Sequence, residues 1–360
     1  MTEIPSDSLS SAGRTPPAAA ASEREPLVSV IIPALDEEGT IDACLDAVLE
    51  QDWPPERLEV IVVDGGSRDA TARRVAARAG VEPRLRLLAN PGALVSRALN
   101  LGIAAARGEV IVRIDAHALP ATDYVRRSVV ALAETGAATV GGTMSARGEG
   151  AVGRAMACAM RHPFGVGPAR FRFATGREAV DTVYLGAFRR DLPERVWPFD
   201  ERLVRNQDYE MNWRIRTAGG TVLVDPEIRS TYLPRSTFRA IWGQYHDYGY
   251  WKRQMLRLHP RSLLPRQLAA PLLLAGLALS LPAALLALSG AAPVLLALPL
   301  ALLLGGYLVA SLAVSVTLAA RHGGALLGLL PLVFASMHVA WGSGFLRASL
   351  TRPPWRRSGA

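Results

Sequence analysis

Short apolar runs alternate with helical patterns along the first third of the chain. Runs rich in β-branched and aliphatic residues cover 27–32, 58–63, 84–88 and 109–114, and helical patterns lie near 38–51, 69–79 and 91–106. We expect the third helix to begin at Pro91, because proline is favoured at the first helical position. Continuous apolar strands separated by helices are typical of a parallel sheet that is covered on both faces. The pattern therefore predicts an α/β fold with a mostly parallel sheet.

A long uncharged stretch lies in the last quarter of the chain. Residues 267–320 form a run of 54 residues without Asp, Glu, Lys or Arg. A helix needs ~20 residues to cross ~30 Å of hydrocarbon, so this run is long enough for two spans with a turn at 289–293. A second uncharged run, 322–346, is long enough for a third span. We predict two to three transmembrane segments within residues 266–348.

Arginines flank the first predicted span and set its expected orientation. They are Arg253, Arg257, Arg261 and Arg266, and the positive-inside rule then keeps residues 1–265 in the cytoplasm. A third span would move the arginine-rich residues 349–360 to the opposite side. A re-entrant or interfacial last segment would keep them inside, and the sequence leaves both arrangements open.

The charge of the chain is distributed unevenly. The formal net charge is +8, and residues 266–360 contain six arginines and no acidic residue. The remaining 34 basic and 32 acidic residues give residues 1–265 a net charge of only +2. No clustered basic groove with interleaved aromatic residues is visible, which argues against nucleic acid as a partner.

Composition also predicts the boundaries of the remaining segments. Residues 1–26 are rich in Ser, Ala and Pro and are expected to form a disordered leader. We predict a globular domain over 27–235 and an amphipathic interfacial helix over 236–265, where aromatic residues and arginines are mixed. Residues 349–360 are expected to form a basic tail.

Acidic residues follow three of the four predicted strands. Glu37 comes shortly after the first strand, Asp64 directly after the second and Asp115 directly after the fourth. Ligands of such sheets bind beyond the carboxyl ends of the strands, so we expect these side chains to share one rim. No dinucleotide-type glycine pattern follows the first strand and no P-loop pattern occurs, which excludes those two classes of phosphate site.

Asp115 and His117 are the sharpest pair at this rim. They lie two residues apart in an extended segment, so both side chains can reach the same side. A carboxylate and an imidazole can together bind a divalent metal such as Mn²⁺, and the metal could neutralise a diphosphate leaving group. The alternative is a solvated aspartate in a turn beside an incidental histidine.

The order and spacing of these segments resemble the family 2 glycosyltransferases, which have the GT-A fold. The matching segments are VSVIIPALDEE, IVVDGGSRDAT, NPGALVSRALNLGIAAARGE and VRIDAHA, and the resemblance extends over residues 28–255. VRIDAHA and QYHDYGYWK further resemble the succinoglycan-biosynthesis type, which builds bacterial exopolysaccharide on a lipid carrier. The resemblance implies a GT-A domain that uses a nucleotide-diphospho-sugar donor.

The resemblance assigns roles to the residues at the rim. It implies that Pro33, Leu35 and Glu37 border the nucleotide, and that Asp64 recognises its uracil and ribose side. It places Asp115 and Ala116 in the D-x-D motif beside the ribose and a Mn²⁺ or Mg²⁺ ion. His117 stands where the second aspartate of that motif is usual, which leaves the preferred metal open.

A second motif concerns the reaction itself. The segment Asn206–Gln207–Asp208 opens a helical pattern and resembles the family's E-D motif, in which the aspartate is the general base. Asp208 is therefore the expected base, and inverting transfer needs one carboxylate to accept the proton of the acceptor hydroxyl. An aspartate placed at a helix N-terminus for the helix dipole is the alternative.

Four residues of the predicted interfacial helix are candidates for the acceptor side. Gln244, Tyr248, Trp251 and Lys252 lie where membrane-bound relatives carry a Q-x-x-R-W signature, although their spacing differs from it. They are expected either to bind the acceptor or a diphosphate, or only to anchor the helix at the interface. Lys252 is the one lysine of the chain and the best candidate for a phosphate contact.

Together these features predict an inverting glycosyltransferase of the bacterial inner membrane with its catalytic domain in the cytoplasm. The expected donor is a UDP-sugar, and the expected acceptor is a polyprenyl-linked glycan in exopolysaccharide or cell-surface glycan synthesis. Membrane lipid and other polysaccharide-assembly proteins are the expected partners. Two alternatives stay open: transfer to polyprenyl phosphate itself, and a non-catalytic subunit that binds nucleotide-sugar for an export complex.

Overall fold

The structure is a computed structural model that describes residues 25–193 and 196–356. The predicted leader as far as residue 24 and the last four residues of the predicted tail lie outside the described residues. Within them the strands are β1 Val28–Ala34, β2 Leu58–Asp64, β3 Leu85–Ala89, β4 Val110–Arg113, β5 Ala118–Pro120, β6 Thr139–Ala146, β7 Glu178–Ala179, β8 Tyr184–Arg189 and β9 Val222–Tyr232. They form one sheet in the order β3-β2-β1-β4-β8-β6-β9-β5, and β7 pairs with β9.

Helices cover the sheet and then continue into the C-terminal part of the chain. Those of the sheet domain are α1 Ile41–Leu49, α2 Thr71–Ala79, α3 Val95–Ala105, α4 Tyr124–Thr135, α5 Gly150–Ala159, α6 Pro163–Val166, α7 Arg170–Phe173 and α8 Gln207–Thr217. The C-terminal helices are α9 Phe238–Leu258, α10 Ala269–Leu288, α11 Leu298–His322 and α12 Leu330–Leu350.

The four predicted strands form the parallel half of the sheet. β1 lies between β2 and β4, and β3 pairs with the outer side of β2, all in parallel. Alternate residues of a strand face opposite sides, so Val60 and Val62 pack into one core cluster and Ile61 and Val63 into another. The prediction of an α/β fold with a mostly parallel sheet is confirmed.

The second half of the sheet was not visible in the sequence pattern. β8 runs antiparallel between β4 and β6, whereas β6 and β9 pair in parallel. The sheet is therefore mixed, and β5, β7 and β8 supply its antiparallel pairs. These strands are separated by long stretches of chain, so their pairing depends on tertiary contacts.

The prediction that the third helix begins at Pro91 is wrong. Residues 91–94 form a turn, and α3 begins at Val95. The side-chain amide of Asn90 donates to the backbone carbonyl of Leu94 at 2.9 Å, and Ala93 takes a left-handed φ of 53°. The asparagine thus closes a loop at the place where the proline signal alone favoured a helix.

Two apolar segments of the C-terminal region are long enough to cross a membrane. Ala269–Leu288 and Val294–His322 both have a mean hydropathy of 2.2. The predicted turn at 289–293 lies between them. Most of their surface is exposed, because only 17% and 6% of the two segments is buried within the chain. This is the surface that a bilayer would cover.

The last apolar segment, α12, packs closely along α9. A Cβ atom on Gly249 would lie 1.9 Å from the carbonyl oxygen of Trp341, and one on Gly344 would lie 2.0 Å from that of His246. Only glycine permits these two backbones to approach so closely. The helix that was predicted to lie at the membrane interface is therefore bound along its length to the final apolar helix.

Candidate active site

A cleft of about 1030 Å³ opens at the carboxyl ends of β1 and β4, where the strand order predicted a site. It is lined by ten of the predicted site residues, namely Pro33, Leu35, Glu37, Asp115, Ala116, His117, Asp208, Gln244, Tyr248 and Lys252. The predicted residues Asp64 and Trp251 lie beside the cleft without lining it. The structure thus brings together side chains that are up to 219 positions apart in the sequence (33 to 252).

The loops that follow β1 and β2 hold each other in place at the rim. The backbone N–H of Glu37 donates to the Thr71 hydroxyl at 2.8 Å, and that of Asp36 donates to the Ser67 hydroxyl at 3.0 Å. In return, the Asp36 carboxylate accepts from the backbone N–H of Arg68 at 2.7 Å. Asp36 adopts a left-handed φ of 54°, which turns the chain so that Glu37 points into the cleft.

Asp64 supports this loop from below. Its carboxylate accepts hydrogen bonds from the backbone N–H groups of Gly66 and Ser67 and from the Ser67 hydroxyl, at 2.9, 3.1 and 2.5 Å. Gly65 forms the cleft wall at this point. Most of the hydrogen-bonding capacity of Asp64 is therefore used within its own loop, and its predicted contact with the nucleotide stays a prediction.

Glu37 and His117 form a pair across the rim. His117 Nδ1 lies 2.8 Å from Glu37 Oε1. Burial disfavours the imidazolium, but the hydrogen bond to Glu37 and the charge of Asp115 raise the pKa of His117. Burial likewise disfavours ionised Glu37, but the bond from His117 lowers the pKa of this carboxyl. His117 Nε2 is left without a hydrogen bond to any described residue.

Arg113 is a candidate functional residue that sequence reasoning missed. It ends β4, its side chain is only 8% exposed, and its guanidinium lies between two carboxylates. Nη2 donates to Asp115 Oδ1 at 2.7 Å, and Nη1 donates to Asp208 Oδ1. Burial opposes the cation, but the two carboxylates raise the pKa of the guanidinium. The available signal was a single arginine in the otherwise apolar strand VIVR.

The two carboxylates respond differently to their shared arginine. Burial disfavours ionised Asp115, but Arg113 and His117 lower the pKa of its carboxyl. For Asp208 burial prevails over the attraction of Arg113, and the nearby charge of Asp115 raises its pKa further. Asp208 lies in the first turn of α8 with 29% of its side chain exposed. A carboxylate with a raised pKa that faces a cleft is suited to accept a proton.

The donor atoms of this rim fit a divalent cation that is shared with a substrate. The described residues contain no group of three or more His, Cys, Asp or Glu side chains placed to hold a metal. Asp115 Oδ2 and His117 Nε2 nevertheless carry no hydrogen bond to the described residues. Mg²⁺ and similar ions in nucleotide sites are commonly held by one or two protein ligands, with phosphate and water completing the shell.

The four predicted acceptor-side residues separate into different environments. Gln244 Nε2 lies 2.9 Å from the Tyr232 hydroxyl and 3.0 Å from that of Tyr248, so it joins two tyrosines at the cleft wall. Trp251 does not line the cleft and packs against the small apolar cluster of Leu203, Tyr209 and Met255. Its predicted role at the acceptor stays a prediction without a contact to the cleft.

Lys252 lies in the cleft wall with only 3% of its surface exposed. Its Nζ is 3.5 Å from the centroid of the Tyr209 ring, and no carboxylate of the described residues lies within ion-pair distance. Burial lowers the pKa of Lys252 to about 7. A buried amine without a counter-ion has a strong electrostatic preference for an anionic ligand.

Two exposed cations of the cleft had no sequence signal. Arg205 and Arg235 line it, and neither makes an ion pair with a described residue. Their charges act on the rim, because Arg205 contributes to lowering the pKa of Asp115 and Arg235 to lowering that of Glu37. Unpaired arginines beside a carboxylate rim are suited to bind phosphate groups.

Comparison with known proteins agrees with this geometry. Residues 29–197 match the profile of the family described as Glycosyl transferase family 2. The succinoglycan biosynthesis protein ExoA of Rhizobium meliloti is 28% identical over 324 residues, which cover 89% of this chain and 94% of that protein. A second relative is a dolichyl N-acetyl-α-D-glucosaminyl phosphate 3-β-D-2,3-diacetamido-2,3-dideoxy-β-D-glucuronosyltransferase of Methanococcus voltae. It is 27% identical over 239 residues, which cover 64% of this chain and 74% of that protein.

A solved structure shares the fold over almost the whole chain. It is the mannosyltransferase PcManGT from Pyrobaculum calidifontis, in complex with GDP-Man and Mn²⁺. The two align with a TM-score of 0.60 and 22% sequence identity, covering 91% of this chain and 88% of the other. These matches set aside the alternative of a non-catalytic binding subunit. The chain belongs to glycosyltransferase family 2, has the GT-A fold, and is a nucleotide-sugar glycosyltransferase.

Proposed function

We propose that this enzyme transfers a sugar, with inversion, from a nucleotide-diphospho-sugar to a lipid-linked glycan at a membrane surface. The observation that carries the proposal is the arrangement around Arg113. On one side of its guanidinium lies the base candidate Asp208, and on the other lie Asp115 and His117, all facing one cleft. A proton acceptor and a diphosphate-binding rim within one cleft are the two requirements of this reaction.

The donor would bind along the loops after β1, β2 and β4. Pro33, Leu35 and Glu37 would border the nucleotide, and Asp115, Ala116 and His117 would face its diphosphate. Asp115 and His117 would hold Mn²⁺ or Mg²⁺, in line with the Mn²⁺ in the related mannosyltransferase structure. When bound, such a cation supplies positive charge to the departing diphosphate. A UDP-sugar is the proposed donor.

Asp208 would accept the proton of the acceptor hydroxyl. The acceptor oxygen then forms a bond to the anomeric carbon while the bond from that carbon to the diphosphate oxygen breaks. The electron pair leaves with the nucleoside diphosphate, and the proton remains on Asp208 until it reaches solvent. Arg113 would hold the Asp208 carboxylate in position and limit its repulsion of Asp115.

The acceptor is proposed to be a polyprenyl-linked glycan at the inner membrane of a bacterium. Support comes from the two helices long and apolar enough to cross a membrane and from the arginines that flank the first of them. The related archaeal enzyme is named for a dolichyl-phosphate-linked acceptor, and the rhizobial relative for succinoglycan biosynthesis. In this arrangement the catalytic domain is cytoplasmic and the anchor crosses the membrane more than once.

A second candidate reaction is transfer to polyprenyl phosphate itself. The unpaired Lys252 in the cleft wall favours it, because a phosphate acceptor would supply the missing counter-ion. Such an acceptor is already an anion, so the reaction depends less on a base.

Substitution of Asp208 tests the proposal and separates the two reactions. Purified full-length Asp208→Asn would be assayed in nanodiscs with a panel of nucleotide-sugars and extracted polyprenyl lipids, and the products identified by mass. Loss of a positioned base lowers turnover by roughly 10²–10⁴-fold, whereas the control Asp191→Asn, at an exposed surface pair, keeps full activity. Wild-type turnover in Asp208→Asn would overturn the assignment of the base, and a lipid-monophosphate product would favour the second reaction.

A further inference from the structure

The cleft of the candidate active site continues into an apolar arm. The arm is lined by Phe164 of the short helix α6, Leu273 of α10, Tyr307 of α11, and Met337 and Trp341 of α12. These side chains belong to the same cleft as Asp115 and Asp208. A nucleotide-diphospho-sugar has no hydrocarbon chain that such a lining would bind.

The polar atoms within the apolar arm are satisfied by one another. His338 Nε2 donates to the carbonyl oxygen of Phe164 at 2.8 Å, and the Tyr307 hydroxyl donates to His338 Nδ1 at 2.9 Å. The Phe164 ring also packs edge-on against Phe334, with centroids 5.0 Å apart. The arm therefore presents ring faces and aliphatic groups, a surface that binds hydrocarbon.

The residues that line the cleft at the start of α10 change from a charged side chain to apolar ones. Arg266, Ala269, Ala270 and Leu273 all line the cleft, and their spacing of three to four residues places them in a row. Arg266 is held by an ion pair with Asp181. A ligand with a phosphate followed by an apolar chain matches this order of lining residues.

The position and size of the cleft agree with a membrane-derived ligand. Its arm is built from α10 and α11, which lie in the two segments long and apolar enough to cross a membrane. A site for one drug-sized ligand measures roughly 300–1,000 Å³. The cleft, at about 1030 Å³, is at the upper end of this range.

We propose that the apolar arm binds the polyisoprenoid chain of the acceptor where the chain joins its phosphate, with Lys252 and Arg266 facing that phosphate. This inference rests on the proposed function and adds that the enzyme recognises the carrier lipid directly. A bulk phospholipid has no sugar hydroxyl to bring to Asp208. A lipid chain that binds in the catalytic cleft would therefore belong to the acceptor.

Photolabelling tests the apolar arm without any sugar transfer. The full-length protein in nanodiscs would be irradiated with polyprenyl diphosphate that carries a diazirine on its first isoprene units, and the labelled peptides mapped. We expect labels on α10 and α12, and about tenfold less labelling in Leu273→Trp, which fills the arm. Leu279→Trp is the matched control, because Leu279 lies on the same helix and is 80% exposed.

Three outcomes would overturn the inference. The first is wild-type labelling confined to segments other than α6 and α10–α12, which needs no variant and so does not depend on the folding of Leu273→Trp. The second is equal labelling of Leu273→Trp and Leu279→Trp. The third is equal labelling of the arm by a diazirine-bearing phosphatidylglycerol, since the arm would then be a general lipid pocket.

Kinetics separate this inference from the proposed function. With a polyprenyl-linked acceptor, Leu273→Trp should raise KM about tenfold and leave kcat unchanged, whereas an acceptor that carries a methyl group in place of the isoprenoid chain should show no such difference. Labelling in the arm without transfer to any lipid-linked acceptor would refute the proposed function and leave the arm as a polyisoprenoid site. Transfer with equal KM in both tryptophan variants would refute the arm and leave the proposed function standing.

Discussion

Two clusters that pair arginine with carboxylate lie at opposite ends of the parallel strands, and they are built differently. At the amino end, Glu59 is 2% exposed and accepts from the Ser29 hydroxyl at 2.5 Å and from Arg107 N and Nε at 2.6 and 2.9 Å. At the carboxyl end, two carboxylates share the single guanidinium of Arg113. In the first cluster both oxygens of a single carboxylate accept hydrogen bonds, whereas in the second one guanidinium is divided between two carboxylates.

The comparison indicates that the charged residues at the amino end stabilise the fold, whereas those at the carboxyl end are available to bind a ligand. A buried carboxylate whose oxygens are all bonded stabilises one structure and has no capacity left for a ligand. At the carboxyl end, Arg113 with ionised Asp115 and Asp208 carries a net charge of −1, and Asp115 Oδ2 and His117 Nε2 make no hydrogen bond to the described residues. This arrangement leaves atoms available to a ligand, which the cluster at Glu59 does not.

Apart from the loss of turnover expected for Asp208→Asn, the largest expected effect comes from Arg113→Lys. A lysine keeps the charge but lacks the planar fork that reaches both carboxylates at once. We expect kcat to fall about 100-fold, the size of effect seen when one preorganised donor is lost, with KM for the donor changing less. Steady-state kinetics on the purified enzyme would measure it. Arg107→Lys at the opposite cluster is the control and should keep kcat; equal losses in both variants would show that the two ends do not differ.

Glu59→Gln should reverse the pattern, with stability reduced and activity kept. Removing the charge weakens the hydrogen bonds that buried Glu59 accepts from Ser29 and Arg107. We expect the free energy of unfolding to fall by about 1–3 kcal/mol. Urea unfolding of the detergent-solubilised protein would measure it. Activity per folded molecule should equal that of the wild type, and a selective loss of kcat would mean that the amino end also takes part in catalysis.

The difference in stability between the wild type and Glu59→Gln should depend on pH, because the pKa of Glu59 is lowered in the folded state. Burial disfavours ionised Glu59, but the hydrogen bonds from Ser29 and Arg107 lower its pKa in the folded state. The ionised residue therefore stabilises the fold above the unfolded-state pKa of about 4.3, and this stability is lost as the pH falls through the lowered folded-state value. Wild type and Glu59→Gln should differ at pH 7 and converge in acid; a constant difference would contradict the linkage.

His117→Ala should weaken activation by Mn²⁺ while the protein stays folded. The change removes one of two proposed ligands, and the Mn²⁺ concentration for half-maximal activity should rise about tenfold, comparable to the effect of disturbing a metal ligand's support. Titration of activity with Mn²⁺ would measure it, with His322→Ala on α11 as control. Unchanged Mn²⁺ dependence would place the metal elsewhere.

The smallest expected effect is on the stability of Asp208→Asn. Burial raises the pKa of Asp208, so at pH 7 its ionised form is a cost to the folded state, and removal of the charge should leave stability unchanged or slightly higher. Thermal unfolding of Asp208→Asn and of Glu59→Gln under the same conditions would compare the two clusters directly. A loss of stability as large as that of Glu59→Gln would mean that Asp208 is mainly a structural residue.

Local patterns were sufficient for the parallel half of the sheet and for the acids at its edge. The strands β1 to β4 follow from continuous apolar runs, and Glu37, Asp115 and Asp208 were found because motifs of local sequence mark them. Pro91 misled the prediction of α3, since a proline favours a first helical turn and a loop alike, and Asn90 closed the loop.

Relations between distant segments were decided by packing. Nothing local to VIVR says that its arginine will lie between Asp115 and Asp208, which is 95 residues away from it. The same holds for the apolar arm, since apolar residues of α10, α11 and α12 are equally suited to face lipid or a cleft.

The amino-acid sequence thus specified the chemistry available at the strand ends and the presence of an apolar anchor, because both are written in contiguous residues. Folding specified which charges share a counter-ion, which apolar faces meet the cleft, and why Lys252 is buried rather than snorkelling. Electrostatic balance and lining depend on distances between segments, and those distances exist only once the sheet and its helices have packed.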